Sequence, residues 1–133
     1  MPSSKKAIKQ MVELAEGSVV ELGCGWGGLA KALQKKGLKV SAYEVSFLPY
    51  LVSKLRGVNV KRRDFFKEDL SSFDTVVCYL YPGAMRRLTH LKNSRLITNT
   101  FAVPGWKAAK VFVLHDLYRS EVTLYHPCGV LGE

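Results

Sequence analysis

Hydrophobic positions along the chain change period several times, and each change marks an element. Ala7, Ile8, Met11, Val12 and Ala15 recur at helical spacing, with Ser3 or Ser4 placed to cap the start and Gly17 to stop the run. This helix is expected to pack in front of the strand that follows. Residues 18–22 carry Val19, Val20 and Leu22 and predict that strand, apolar enough for a central parallel position covered on both faces. Helical spacing returns over 26–36, where Leu29, Ala30 and Leu33 share a face, Lys35 and Lys36 occupy the last turn, and Gly37 follows. Residues 38–43 predict a second strand closed by Glu44, 47–55 a third helix with Pro49 in its first turn, and 58–62 a third strand. Thr75-Val-Val-Cys-Tyr-Leu80 is a strongly strand-like run, broken by Tyr81-Pro82-Gly83. A short helix over 84–91 and a fifth strand over 95–101 come next, then a loop over 102–107. Strands at 111–114 and 122–125 are close enough together to form an antiparallel hairpin.

Strands and helices alternate and then give way to a hairpin. That order predicts an α/β sheet, mostly parallel, with one antiparallel strand at or near its edge. A chain of 133 residues suits a single domain, 1–133, that needs no disulfide. Hydrophobic residues make up 47% and charged residues 23%, within the range of soluble globular proteins. No apolar run approaches the ~20 residues that span a bilayer, and the first ten residues lack the apolar stretch of a secretory signal. Cys24, Cys78 and Cys128 form no CxxC pair and read as reduced thiols, so a cytoplasmic protein is expected. His90, His115 and His126 do not stand at ligand spacing with them, and no metal is expected.

The net charge is +9 and unevenly spread: residues 1–66 hold 12 basic and 5 acidic residues, and residues 67–133 hold 8 and 6. A basic half can face nucleic acid, an anionic lipid surface or an acidic protein, or simply keep the domain soluble.

The candidate chemistry lies at residues 21–28. Gly23, Gly25, Gly27 and Gly28 allow a tight turn between strand and helix, where free N–H groups at a helix start face a ligand. Gly23-x-Gly25-x-x-Gly28 satisfies the dinucleotide fingerprint, and Glu44 lies about 20 residues further on. Glu21 separates the readings. A carboxylate two residues before Gly23 would repel a pyrophosphate but suits a cation. S-adenosylmethionine carries an α-ammonium and a sulfonium and no phosphate.

At these residues the chain resembles the class I S-adenosylmethionine-dependent methyltransferases, whose first motif stands here as Glu21-Leu-Gly23-Cys-Gly25-Trp-Gly27. The resemblance implies a Rossmann-like methyltransferase core: a mostly parallel seven-stranded sheet with an antiparallel last strand and helices on both faces. It implies that Glu44, with Val45 beside it, meets the ribose hydroxyls. Asp64-Phe65 is then placed at the adenine, and Tyr79-Leu-Tyr81-Pro82 at the methyl-transfer site. Over about residues 18–126 the chain looks like the small protein-lysine methyltransferases related to the ATP-synthase c-subunit and archaeal enzymes. Asp64-Phe-Phe-Lys-Glu-Asp-Leu70, Tyr81-Pro82 and Phe101-x-x-Pro-x-Trp106 carry that likeness. The chain departs from that group at Trp26, where an acidic residue is usual; a cover over the cofactor and packing at the helix start are the two readings of this side chain, and packing is the one expected.

The expected cofactor site is Glu21, Gly23, Cys24, Gly25, Glu44, Val45, Asp64, Phe65 and Tyr79. Tyr81 and Tyr79 are the catalytic candidates, with Tyr81 orienting the nucleophile. Tyr81, Pro82, Phe101 and Trp106 are the substrate-binding candidates. An amine must arrive neutral, which an apolar aromatic site favours by desolvation. The resemblance to the small lysine methyltransferases makes protein lysine the expected substrate. RNA, favoured by the basic first half, and a small molecule are the alternatives, as is a cofactor-binding module without activity. A partner or a homodimer that closes the site stays open.

Overall fold

The computed structural model describes residues 4–79, 84, 94–100, 103, 105–116 and 119–126. In chain order these form α1 (Lys5–Leu14), β1 (Ser18–Leu22), α2 (Gly28–Lys35), β2 (Lys39–Tyr43), α3 (Phe47–Leu55) and β3 (Val60–Lys61). A single 3-10 turn (Phe65–Lys67) precedes β4 (Thr75–Cys78), β5 (Arg95–Asn99), β6 (Lys110–Val113) and β7 (Glu121–Tyr125). The seven strands make one sheet in the order β3-β2-β1-β4-β5-β7-β6. The first five run parallel, and β7 runs antiparallel to both β5 and β6. The expected α/β sheet, with one reversed strand next to its edge, is the fold observed.

Side-chain alternation along the strands divides the core into two layers. Val19, Val40, Ala42, Val77, Ile97, Val122 and Leu124 meet Ala7 and Met11 of α1 and Leu29, Ala30 and Leu33 of α2. On the other face, Val20, Leu22, Val76, Cys78, Leu96 and Tyr125 are covered by Leu70 and Val103, with Phe65, Phe66, Phe73 and Trp106 packed at the margin. The helix predicted over 84–91 lies outside the described residues except for Ala84, which is helical and buried.

Ser4 caps α1 by accepting the Ala7 N–H at 3.1 Å, and its own hydroxyl donates to Asp116 at 2.5 Å. Lys36 donates to the carbonyls of Val12 and Ala15, at 2.6 and 3.1 Å, so a cation completes the negative end of that helix. α1 packs mainly on β5, β7 and α2, rather than in front of β1.

The boundaries differ from expectation where a turn intervenes. α2 starts at Gly28 instead of residue 26, because residues 24–27 form a turn closed by the Gly27 N–H on the Cys24 carbonyl at 3.0 Å. Gly27 has φ +89°, and a Cβ there would stand 2.9 Å from the Ser53 hydroxyl, so only glycine fits. β3 is shorter than 58–62, because Val58 still donates back to Ser53 in the turn leaving α3. β5 stops at Asn99, since Thr100 adopts φ +73°. Among the described residues, no helix is long and apolar enough to cross a membrane.

Candidate functional site

β1 lies between β2 and β4, so the chain departs from it in both directions and leaves a crevice at the carboxyl ends of these strands. The glycine turn fills the front of that crevice. The N–H groups of Gly23 and Cys24 both donate to the Tyr43 carbonyl at the end of β2, at 2.9 and 3.1 Å. Glu44, the next residue, accepts the Gly25 N–H at 2.8 Å with one carboxylate oxygen and the Ser46 N–H at 3.0 Å with the other. Ser53 of α3 donates to the Gly25 carbonyl at 2.8 Å. The turn is therefore clamped between β2 and α3 through its backbone, and its shape does not depend on the side chains it carries.

Behind the turn lies a cavity of about 250 Å³ lined by Glu21, Gly23, Cys24, Gly25 and Tyr79, together with Ile8, Trp26, Gly28, Leu29 and Arg56. Glu21 is its chemical centre. β-strand alternation turns this side chain toward α2, and it is only 6% exposed. Burial pushes its carboxyl well above the usual carboxylate range. The Ala30 N–H in the first turn of α2 opposes that shift, and the charge of Glu44 adds to it. One carboxylate oxygen, Oε1, has no hydrogen-bond partner among the described residues. A buried acceptor without a donor is costly, ~1–3 kcal/mol, and such a group is retained where a ligand supplies the donor. The residues present thus fit a cationic ligand group.

The neighbouring thiols are inert. Burial pushes Cys24 up to about 12, and its Sγ faces the Ser53 hydroxyl at 3.6 Å; burial likewise pushes Cys78 to about 12. Cys24 therefore contributes backbone and volume, in keeping with its expected place in the turn.

The remaining candidates are arranged around this centre. Glu44 is joined to the cavity through Gly25 and stays partly exposed. Val45 is 55% exposed, and its carbonyl accepts from Arg62 at 3.0 Å. Asp64 caps the 3-10 turn by accepting the Phe66 N–H at 3.0 Å, and the Phe65 ring stacks tilted on Phe66 at 4.3 Å. None of these three lines the cavity: Val45 and Asp64 follow the ends of β2 and β3, and Phe65 packs with the core on the face of the sheet opposite Glu21. Trp106 is on the opposite face of the sheet, edge-on to Tyr125 at 5.7 Å, and is not brought to Glu21. Tyr81, Pro82 and Phe101 lie outside the described residues.

The cavity lining includes Trp26 and Arg56, which the expected cofactor site did not contain. Trp26, taken as a packing residue, is 46% exposed and lines the cavity. Arg56 reaches back from the end of α3, donating to the Trp26 carbonyl at 2.9 Å. As a lone cation after an amphipathic run, Arg56 has no sequence signature of its own.

Comparison with known proteins agrees with this fold. The ubiquinone biosynthesis O-methyltransferase of Pseudomonas fluorescens is 34% identical over 80 residues, which cover 53% of this chain and 34% of that protein. The pavine N-methyltransferase of Thalictrum flavum is 25% identical over 114 residues, covering 83% of this chain and 32% of that one. The chain thus spans about a third of the length of these curated relatives. Among solved structures, an RNA methyltransferase from Salinibacter ruber in complex with S-adenosylhomocysteine superposes with a TM-score of 0.79 at 21% identity, covering 94% of this chain and 92% of that one. The magnesium protoporphyrin IX methyltransferase of Synechocystis with bound S-adenosylmethionine gives 0.73 at 18%, with 90% and 77% covered. These likenesses are of fold. The model of the ANTKMT methyltransferase domain matches residues 21–110, from the buried glutamate to the start of β6, and the chain belongs to that family.

Proposed function

We propose that the protein is an S-adenosylmethionine-dependent methyltransferase that N-methylates protein lysine. One observation carries the cofactor assignment: a buried carboxylate with one oxygen unpartnered among the described residues, in a cavity at the strand ends behind a glycine turn. When bound, the cofactor supplies a methyl group already activated on a sulfonium. The chain's residues bind and position. Glu21 accepts from the α-ammonium, which restores the ionised form that burial disfavours. Glu44 keeps a second lone pair on each carboxylate oxygen for the ribose hydroxyls, since each oxygen takes one backbone N–H. Asp64 and Phe65, beyond the end of β3, serve the adenine. Tyr79 stands beside the turn on the Glu21 side of the sheet, where an aromatic wall disfavours a charged amine and favours the neutral nucleophile. Tyr81 is assigned the orientation of that nucleophile, with Pro82 and Phe101 at the substrate. An amine attacking carbon needs no strong general base, so positioning and desolvation account for the chemistry asked of the protein.

Membership in the ANTKMT family and the likeness of Asp64–Leu70 and Phe101–Trp106 to small lysine methyltransferases support lysine as the acceptor. A second reading, RNA, is favoured by the basic first half and by the near full-length superposition on an RNA methyltransferase. Transfer of a radiolabelled methyl group from the cofactor into a lysate, followed by protease or nuclease, separates the two. Label removed by protease supports lysine. Label that resists protease and is lost with nuclease moves the assignment to RNA.

A further inference from the structure

A surface helix of a globular protein normally turns its apolar stripe toward the core. α3 does the reverse. Ser53 is its one fully buried residue among those described, held against the glycine turn, while Phe47, Leu48, Leu51 and Leu55 are 56%, 58%, 37% and 79% exposed. At 3.6 residues per turn these four side chains share an arc of about 100°. Val45 extends the stripe at 55% exposure. Residues 45–63 contain Lys54, Arg56, Lys61, Arg62 and Arg63 and no carboxylate; Glu44 and Asp64 flank the segment, and Arg63 is paired with Glu68 at 3.5 Å. All five cations are exposed, and Arg62 lies over the Phe47 ring at 5.4 Å.

We propose that this face docks on the surface of an anionic lipid bilayer, with the leucines of α3 inserted at the headgroup boundary and the cations around them at lipid phosphates. Charge complementarity selects the occupant. A second copy on the same face would set five cations against Glu44, Asp64 and Glu68 on each side, a net excess of positive charge that disfavours a dimer. A nucleic acid would satisfy the cations and leave Leu48, Leu51 and Leu55 in water. Leucines exposed to this degree stand as a ridge, and a rigid acidic protein would have to supply a matching groove, whereas a bilayer interface accepts a ridge without one. A helix with an apolar stripe and basic flanks is a composition that binds anionic membranes. Docking here also sets the cavity near the bilayer, because Arg56 belongs to both and donates to the Trp26 carbonyl at the cavity.

The test is flotation of the protein with vesicles of phosphatidylcholine containing about 30 mol% phosphatidylglycerol, against phosphatidylcholine alone, at low and high salt. Binding to the anionic vesicles that falls roughly tenfold or more at high salt is expected. The variant L48S/L51S/L55S should lose that binding while its circular dichroism and its cofactor affinity stay unchanged. K61Q/R62Q/R63Q, which leaves the apolar stripe intact, should weaken it roughly tenfold or more and keeps the test decisive if the first variant does not fold. Absence of anionic-vesicle binding, equal binding to neutral vesicles, retention of binding by both variants, or a concentration-dependent dimer that the triple serine variant abolishes would each overturn the proposal.

Discussion

Replacing Glu21 by Gln should strengthen the empty protein and weaken its hold on the cofactor. Gln keeps an acceptor for the Ala30 N–H at the start of α2 and nearly the same volume, but it removes a charge from a site that is 6% exposed. Burial raises the folded-state pKa of Glu21 above its unfolded value, so the folded protein retains a proton that the unfolded chain releases. Its contribution to stability is therefore full below the unfolded glutamate pKa and is lost as pH rises through the raised folded value. The variant lacks this slope, so its advantage should grow from acid to neutral and alkaline pH. Removal of the buried charge gives a gain on the order of 1 kcal/mol, about 3 °C in Tm, at the alkaline end of that range. The cofactor effect has the opposite sign. Loss of a charge-assisted hydrogen bond to the ammonium removes about 1.5–3 kcal/mol, a rise in Kd of roughly 10- to 150-fold. Thermal melts across pH and calorimetric titration with S-adenosylmethionine read both halves. A variant that binds the cofactor as tightly as the parent, or whose stability runs parallel to the parent at every pH, refutes the assignment of Glu21.

Glu44→Ala should weaken cofactor binding by roughly 1–3 kcal/mol in the same titration, since it removes the ribose acceptor and frees the Gly25 and Ser46 N–H groups it now holds. Gly27→Ala should destabilise the fold by about 1–3 kcal/mol in urea unfolding, because φ +89° and the Ser53 hydroxyl both exclude a Cβ. Tyr125→Phe should cost about 1–2 kcal/mol in the same assay, because the Tyr125 hydroxyl accepts the buried Val103 N–H at 3.0 Å and packs beneath Trp106. Cys24 and Cys78, both pushed to about 12, should resist iodoacetamide at pH 8 in the folded protein and react once it is unfolded, as mass spectrometry of the labelled peptides would report.

The features that sequence made visible are those with a local physical cause. Ser4 is a cap because its hydroxyl has a helix N–H within reach, and the spacing of Ala7 and Met11 states which side of that helix is buried. The closeness of the last two strands forces a hairpin, and β7 accordingly runs against β6 and β5. Glu21 was conspicuous because a carboxylate at the end of an apolar strand demands a reason. What escaped depends on tertiary approach. Arg56 joins the cavity only because α3 ends against the glycine turn, where it meets the Trp26 carbonyl. The start of α2 was misplaced by two residues because the turn at 24–27 is set by hydrogen bonds to Tyr43, Glu44 and Ser53, which are distant in sequence. The packing of Trp106 behind the sheet follows from Tyr125, the last residue of β7.

The most direct test of the account is a crystal structure with S-adenosylhomocysteine bound, which retains the ammonium and the ribose of the cofactor. The account predicts the amino group within ~3 Å of Glu21 Oε1, the oxygen that has no partner among the described residues, with the ribose hydroxyls on Glu44. A ligand bound elsewhere, or one in this cavity with its amino group turned away from Glu21, would contradict it.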